Sequence, residues 1–403
     1  MKPKVSIIIP VYNGTNYMRD AIDSALAQTY ENCEVIVVND GSNDNGATDE
    51  VARSYGNRIR YFYKENGGVA TAVNYGIEKM TGEYAAWLSH DDMFTPDKIE
   101  KQIEAALSSG LSAPIVHSNF EFWDVVKDKH STVDLLQTYT REQLEDSCFA
   151  PLFLAIHGST VLVHKSHYTR VGLYDTKLIA TQDSEFLFRV MRGQKSVFVE
   201  EPLMISRIHP EQGQQTMTCH GTEYNEMFIH FCQTLTAEEK IHFCGSEWNF
   251  YYRLYLLLKY SRPANTILDY LKEKMDSCDR PEIENHTSVV SMKEKWDGCG
   301  IERIYIFGAG QMGKEMLETL RSYGIEAEGW IDNAKEKHGT MIEGLPCIGP
   351  EQIKDQKKCL FIVAMIDPSE VVEQLRQLHI SHIATMGEFK KMLFRLTPLH
   401  ALL

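Results

Sequence analysis

Hydrophobic and polar positions alternate along the first hundred residues in two rhythms. VSIIIPV (5–11) is an unbroken apolar run, the pattern of a strand covered on both faces. NYMRDAIDSALAQ then spaces Met18, Ile22, Ala25 and Leu26 along one helical face. CEVIVVND predicts a strand, NGATDEVARSYG a helix, IRYFYKE a strand, VATAVNYGIEKM a helix and EYAAWL a fourth strand. Such alternation predicts βαβ units, hence a mostly parallel sheet with right-handed crossovers. Ligands of such sheets bind beyond the carboxyl ends of the strands.

Those ends carry the unusual residues. The strands run into Pro10-Val11-Tyr12-Asn13-Gly14, Asn39-Asp40-Gly41-Ser42, Asn66-Gly67-Gly68 and Ser89-His90-Asp91-Asp92. One such cluster is an ordinary turn, since Asn, Asp and Gly favour turns. Four on one inferred edge point to a site. Tyr12 can stack on a planar base, and Asp40 can accept from a base N–H or a ribose hydroxyl. Asn66-Gly67-Gly68 lets backbone approach a ligand closely, where a Cβ would hinder it. Asp91 and Asp92 offer hard oxygen ligands for Mg²⁺ or Mn²⁺, an ion that would bridge a diphosphate and relieve their mutual repulsion. A solvated turn ahead of Pro96 is the other reading of the pair.

Further along, the rhythm changes. IVHSNFEFW and SVFVEEPLMISRIHP read as strands, STVLVHKSHY as strand and turn, and ATQDSEFLFRVMR as a helix. From 221 to 298 helical spacing dominates, broken at Pro263 and Pro281, with an aromatic face (Trp248, Phe250, Tyr251, Tyr252, Tyr255) suited to a core or subunit interface. IERIYIFGAGQMGKEMLETL restarts the strand–turn–helix pattern, followed by IEAEGWIDN, CLFIVAMID and SEVVEQLRQL. The expected organisation is an α/β domain over 1–220, a helical connector over 221–298 and a small Rossmann-like α/β domain over 299–403.

Composition narrows the function. A net charge of −15 argues against nucleic acid as the main partner, because phosphate backbones demand clustered cations. No apolar run is long enough for a membrane span. The first strand begins within four residues of Met1, so no secretory leader is expected. Nine cysteines without a CxxC pair fit reduced thiols, and the expectation is a cytoplasmic protein.

Residues 4 to about 210 resemble the family 2 glycosyltransferases, inverting enzymes with a nucleotide-binding fold of the GT-A type. The matching segments are VSIIIPVYNG, VVNDGSNDN, KENGGVATAVNYGI, GEYAAWLSHDD, Pro96-Asp97-Lys98, HGSTVLVHKSHYTRVGLYD, TQDSEFLFRV and ISRIHP. The resemblance implies a nucleotide-activated sugar donor, commonly UDP-linked, a divalent metal, and attack by the hydroxyl of a glycan or lipid-linked acceptor with inversion at the anomeric carbon. It sets the chain in bacterial-type surface polysaccharide assembly. By position it assigns Pro10, Tyr12, Asp40 and Ser42 to the nucleoside pocket and Asn66 and Gly68 to the donor's surroundings. Asp92 is preferred for the metal, with Asp91 as second ligand or ribose contact, and His209 as a diphosphate or metal ligand. Asp183 matches the catalytic base, with Glu185 in reserve; Thr181 or Asp183 could equally cap a helix. His157 and Ser159 fall on the acceptor side. Ser89 and Gln182 stand where many members carry acids, which leaves an inactive sugar-nucleotide-binding protein as an alternative.

In the last domain, Gly308, Gly310 and Gly313 fit G-x-G-x-x-G between strand and helix, with Asp332 ending the second strand. It resembles the nucleotide-binding domain that precedes some sugar-modifying acyltransferases, which implies a nucleotide there; tight packing or assembly is the other reading. An NAD-dependent oxidoreductase is disfavoured, since no Tyr-x-x-x-Lys pair is found. The tail FKKMLFRLTPLHALL, with Lys390, Lys391 and Arg395, could rest on an anionic membrane at the cell's inner face or equally pack onto the preceding domain. A homo-oligomer is left open.

Overall fold

The computed structural model describes residues 2–210, 212, 220–259, 265–279, 300–322, 324–353, 358–365, 368–386 and 389. The breaks read at Pro263 and Pro281 and nearly all of the basic tail lie outside them. The chain divides into two units, one of residues 1–235 and 257–270, the other of 236–256 and 271–403. The helical stretch expected as a connector is thus shared out between the units.

The first unit is built on a nine-stranded sheet. Its strands are β1 (Val5–Val11), β2 (Cys33–Asp40), β3 (Arg60–Lys64), β4 (Tyr84–Trp87), β5 (Met93–Phe94), β6 (Ile115–Asp124), β7 (Lys129–Val133), β8 (Leu162–His164) and β9 (Ser196–Ile208). The order is β3-β2-β1-β4-β8-β6-β9-β5, with β7 on β6. The first four strands are parallel, as the alternation predicts. Antiparallel β8 then separates β4 from β6, a long-range pairing with no local signal in the sequence.

All seven residues of β1 are buried. On one face, Val5, Ile7, Ile9 and Val11 share a core with Met18, Ala21, Ile22 and Ala25 of helix α1 (Met18–Leu26). On the other, helix α3 (Val69–Lys79) passes so closely that a Cβ on Gly76 would meet Ile8 Cγ2 at 2.4 Å. A strand covered twice must be apolar throughout, which is the physical content of VSIIIPV. Truncating a side chain such as Ile7 or Ile22 to alanine would cost about 2–5 kcal/mol.

Strand order runs outward from β1 in both directions, to β2 and β3 on one side and to β4 on the other, so the crevice between β1 and β4 is a topological switch point. Pro10 marks where it opens. β1 pairs with β2 through Val11↔Asn39, but its pairing with β4 stops at Ile8↔Trp87, so Pro10 gives up no ladder bond on the β4 side.

The second unit carries a six-stranded sheet ordered β12-β13-β11-β10-β14-β15. Its strands are β10 (Arg303–Phe307), β11 (Gly329–Ile331), β12 (Met341–Ile342), β13 (Leu345–Ile348), β14 (Cys359–Val363) and β15 (Ile383–Thr385). Only the β12–β13 pair is antiparallel. Here too Phe250 and Tyr251 of the aromatic face are buried. Among the described residues no helix is long and apolar enough to cross a membrane.

Candidate active site

At the switch point the ends of β1 and β2 are laced together. Asn13, at a φ of 50°, donates its backbone N–H to Ser42 Oγ (2.9 Å) and exchanges side-chain bonds with Asn43. Ser42 N–H in turn donates to Asn39 Oδ1 at 2.9 Å. Gly41 is fixed as glycine twice over, by a φ of +68° and because a Cβ would stand 2.4 Å from Asn66 N. Tyr12 beside this lacing is 42% exposed, an aromatic face left open to a planar ligand.

Asp40 is buried and already engaged. Its carboxylate accepts from Lys64 Nζ (2.6 Å), Gly67 N (3.1 Å) and Gly68 N (2.8 Å), so it shapes the Asn66–Gly68 loop from within. Any bond to a base would use the lone pairs that remain. Gly68, at a φ of +88°, starts α3.

The acid pair does not act as a pair of equals. Asp92 is 2% exposed and turned inward, where Oδ1 accepts from Arg207 N at 3.1 Å and the carboxylate also meets the Ser206 hydroxyl. Burial pushes its carboxyl well above the usual range, the Asp91 charge adds to this, and the bonds from Arg207 and Ser206 only partly offset it. Asp91 faces His209, with Oδ2 3.2 Å from Nε2. Of the two acids Asp91 is the less buried, and it lies beside His209, itself buried, whereas the Asp92 carboxylate is taken up by Arg207 and Ser206. His209 Nδ1 is buried without a hydrogen-bond partner. Among the described residues no three His, Cys, Asp or Glu side chains are grouped to hold a metal ion by themselves.

Arg207, whose role the sequence did not reveal, organises this turn. Its guanidinium is 2% exposed, lies over the rings of Tyr17 (4.7 Å) and Trp123 (5.2 Å), and pairs with Asp20 at 2.5 Å. Nη1 also reaches Asp91 O at 3.4 Å and Nη2 the Met93 sulfur at 3.2 Å. One side chain thus ties β9, α1 and the acid turn together, and its fixed charge offsets theirs.

Asp183 sits in the first turn of helix α8 (Gln182–Met191). It lines a small enclosure with Ala85, Trp87, Gly158, Tyr168, Tyr174 and Leu187. Burial among these rings pushes its carboxyl above the usual carboxylate range. Thr181 stands at the N-cap without a side-chain capping bond. Glu185 is spent in an ion pair with Arg189 at 2.5 Å, whose guanidinium also holds the Val171 and Leu173 carbonyls. The reserve candidate therefore has a structural job.

His157, Gly158 and Ser159 connect the two halves. A Cβ on Gly158 would lie 3.3 Å from Asp183 Oδ2 and 3.6 Å from Trp87 Cζ3, so glycine leaves room for the carboxylate. Burial lowers His157 to about 4, which keeps it neutral. Its Nδ1 accepts from Ser159 N (3.3 Å), which puts the proton on Nε2, 3.4 Å from Ser206 Oγ, and Ser206 in turn meets Asp92. Ser159 Oγ lies 3.5 Å from Ser89 Oγ. Asp183 and the acid turn are joined by an unbroken run of contacts through a single turn.

In the second unit packing accounts for two of the three motif glycines, Gly308 and Gly313. A Cβ on Gly313 would stand 1.9 Å from Gly308 O, and Gly308 holds a φ of +99° with a Cβ position 3.1 Å from Ala364 O. Gly310 faces open space. Asp332 accepts from Ala309 N and Lys337 Nζ, both at 2.8 Å, and from Ala334 N at 2.9 Å. Burial raises its carboxyl, but Lys337 and the two amides outweigh it and the net shift is downward. Asp332 is a brace for the glycine turn.

A family model described as "Glycosyl transferase family 2" matches residues 6–170, and one described as "C2185-like, N-terminal" matches residues 300–384. An uncharacterized glycosyltransferase of Rickettsia typhi is 46% identical over 248 residues, 62% of this chain and 77% of the relative. One of Rickettsia felis is 43% identical over 270 residues, 66% of this chain; the chain spans only 44% of that relative's length. Among solved structures, the mannosyltransferase PcManGT of Pyrobaculum calidifontis in complex with GDP-Man and Mn²⁺ is similar at 15% identity and a TM-score of 0.49, covering 73% of this chain and 80% of that one.

Proposed function

The chain belongs to glycosyl transferase family 2, and from that premise we propose that it is an inverting transferase moving a hexosyl or N-acetylhexosaminyl group from a UDP-linked donor to an acceptor hydroxyl. The acceptor is a glycan or a lipid-linked glycan of a cell-surface polymer. The observation that carries this reading is the run of contacts joining Asp183, through Gly158 and His157, to the Asp91–Asp92 turn at the switch point.

The nucleoside end falls to Tyr12, whose open ring stacks on the base, and to Asp40 and the loop it shapes. Asp91 is suited in donor type to Mg²⁺ or Mn²⁺ and would hold such an ion, with His209 beside it as a further ligand if the ion is Mn²⁺. The cation when bound supplies charge neutralisation for the departing diphosphate. Arg207 adds a fixed positive charge behind the same turn and donates to the Asp91 carbonyl.

Asp183 supplies the base. Its carboxyl, raised by burial among Trp87, Tyr168 and Tyr174, is a better proton acceptor than a solvated aspartate. It takes the proton of the acceptor hydroxyl as that oxygen bonds to the anomeric carbon. The bond from that carbon to the diphosphate breaks on the opposite face, and UDP leaves with the bonding pair. Exclusion of water by the aromatic enclosure limits donor hydrolysis.

The test is a panel of nucleotide sugars with Mn²⁺ or Mg²⁺, read by release of nucleoside diphosphate with and without glycan acceptors, with NAD(H) as control. Turnover of one or more UDP-sugars supports the reading. Binding without turnover across the panel would leave a sugar-nucleotide-binding protein instead.

A further inference from the structure

The start of helix α8 is held from a distance. The first amides of any helix, and those just before it, have no partner inside the helix. At two helices this need is met locally, by Thr140 and Thr236, each of which closes a capping box, whereas α1 and α3 begin without a side-chain cap. At α8 the N-cap residue Thr181 makes no such bond. Its place is taken by Glu223, on the helix His220–Thr234. Glu223 Oε1 accepts from Ile179 N at 2.9 Å, and Oε2 accepts from Ile179 N (3.1 Å), Ala180 N (2.8 Å), Thr181 N (3.2 Å) and Thr181 Oγ1 (3.3 Å).

Among the described residues, every group hydrogen-bonded to this carboxylate is a donor. Only an anion with several lone pairs satisfies them together; an amide would turn its own NH₂ against an N–H. The negative charge also lies at the positive end of the α8 dipole. Two residues beyond the cradle comes Asp183, whose Oδ2 would lie 3.3 Å from a Cβ at position 158, the room that Gly158 leaves for it. A local cap would stabilise α8 equally well. A carboxylate from the helix His220–Thr234 does more, because it ties the start of α8 to a second element.

We infer that Glu223 is a positioning residue: its carboxylate sets the start of α8 and thereby the placement of Asp183 in the site. This rests on the reading of Asp183 as the base. Glu223 touches no reacting atom, and its effect falls on the rate of transfer, not on donor binding.

The test uses the full chain and the UDP-sugar it turns over fastest. Glu223→Ala should lower kcat by about 100-fold, the scale of a misplaced catalytic group, with UDP affinity unchanged. Amide exchange of 179–183 should rise while β1 stays protected. Added formate, small enough to enter the vacated cradle, should restore part of both kcat and protection. Glu223→Gln, which conserves size and hence fold, should remain impaired. Full kcat in Glu223→Gln, or unchanged exchange at 179–183 in Glu223→Ala, would overturn the inference. Asp183→Asn measured alongside separates the two ideas. Wild-type turnover in that variant removes the base itself and this inference with it, whereas a dead Asp183→Asn beside a fully active Glu223→Ala removes only the positioning role.

Discussion

Lys98 is 0% exposed, and among the described residues its ammonium meets Gln102 Oε1 (2.5 Å), the Thr160 carbonyl (3.4 Å) and the Phe94 ring (4.5 Å from the centroid). Burial pushes its pKa down from 10.5 to about 7. Lys98→Met keeps the volume and removes the charge, while Thr160 O retains its bond from Gln102 Nε2 at 2.7 Å. Below pH 7 both the folded and the unfolded wild-type chains carry the proton, so the cost of burying it is felt in full and the variant should be the more stable. Between pH 7 and 10.5 the folded chain sheds a proton that the unfolded chain keeps, so wild-type stability climbs relative to the variant. The slope is about 1.4 kcal/mol per pH unit, on the order of 3 kcal/mol between pH 7 and 9 and on the order of 5 kcal/mol in all. Urea titrations of both proteins in the same buffers, followed by tryptophan fluorescence, give the difference curve, in which thiols and tyrosines common to both cancel. A flat difference from pH 7 to 9 would refute the reasoning, because it would mean that the ammonium is solvated or paired. The consequence reaches the site, since Lys98 and Gln102 jointly hold the turn that presents His157 and Ser159.

Three further outcomes follow from the site. Asp183→Asn should lower kcat by about 10²–10⁴-fold with UDP binding intact, measured by nucleotide release and titration calorimetry; equal loss of both would contradict its role as base. Asp91→Ala should abolish stimulation by Mn²⁺ without lowering the melting temperature, whereas Asp92→Ala should unfold the turn, because Arg207 N and Ser206 lose their acceptor. EDTA should stop the wild-type reaction reversibly, and full activity in EDTA would remove the metal from the scheme. Gly41→Ala, with its Cβ 2.4 Å from Asn66 N, should cost about 1–3 kcal/mol of stability in a thermal melt and weaken UDP binding.

Local pattern decides what neighbouring residues decide. The unbroken apolar run of β1, the helical spacing of α1 and the glycine at position 41 each answer to a constraint within a few residues or within one βαβ unit. These were legible in the sequence, together with the edge on which the polar clusters gather. The Gly308–Gly313 turn was legible too, but its purpose was not: only the fold shows Asp332 turned onto Ala309 and Lys337. The unequal burial and partners of Asp91 and Asp92, the Arg207 strut, the expenditure of Glu185 on Arg189 and the grip of Glu223 on α8 are likewise matters of tertiary structure. Each depends on which way a side chain turns toward a strand or helix that can be more than a hundred residues away, as Asp92 does toward Arg207. Sequence supplied the residue types and their order along the sheet edge. Burial and long-range pairing, which set each carboxylate's partners and proton affinity, assigned the work among them.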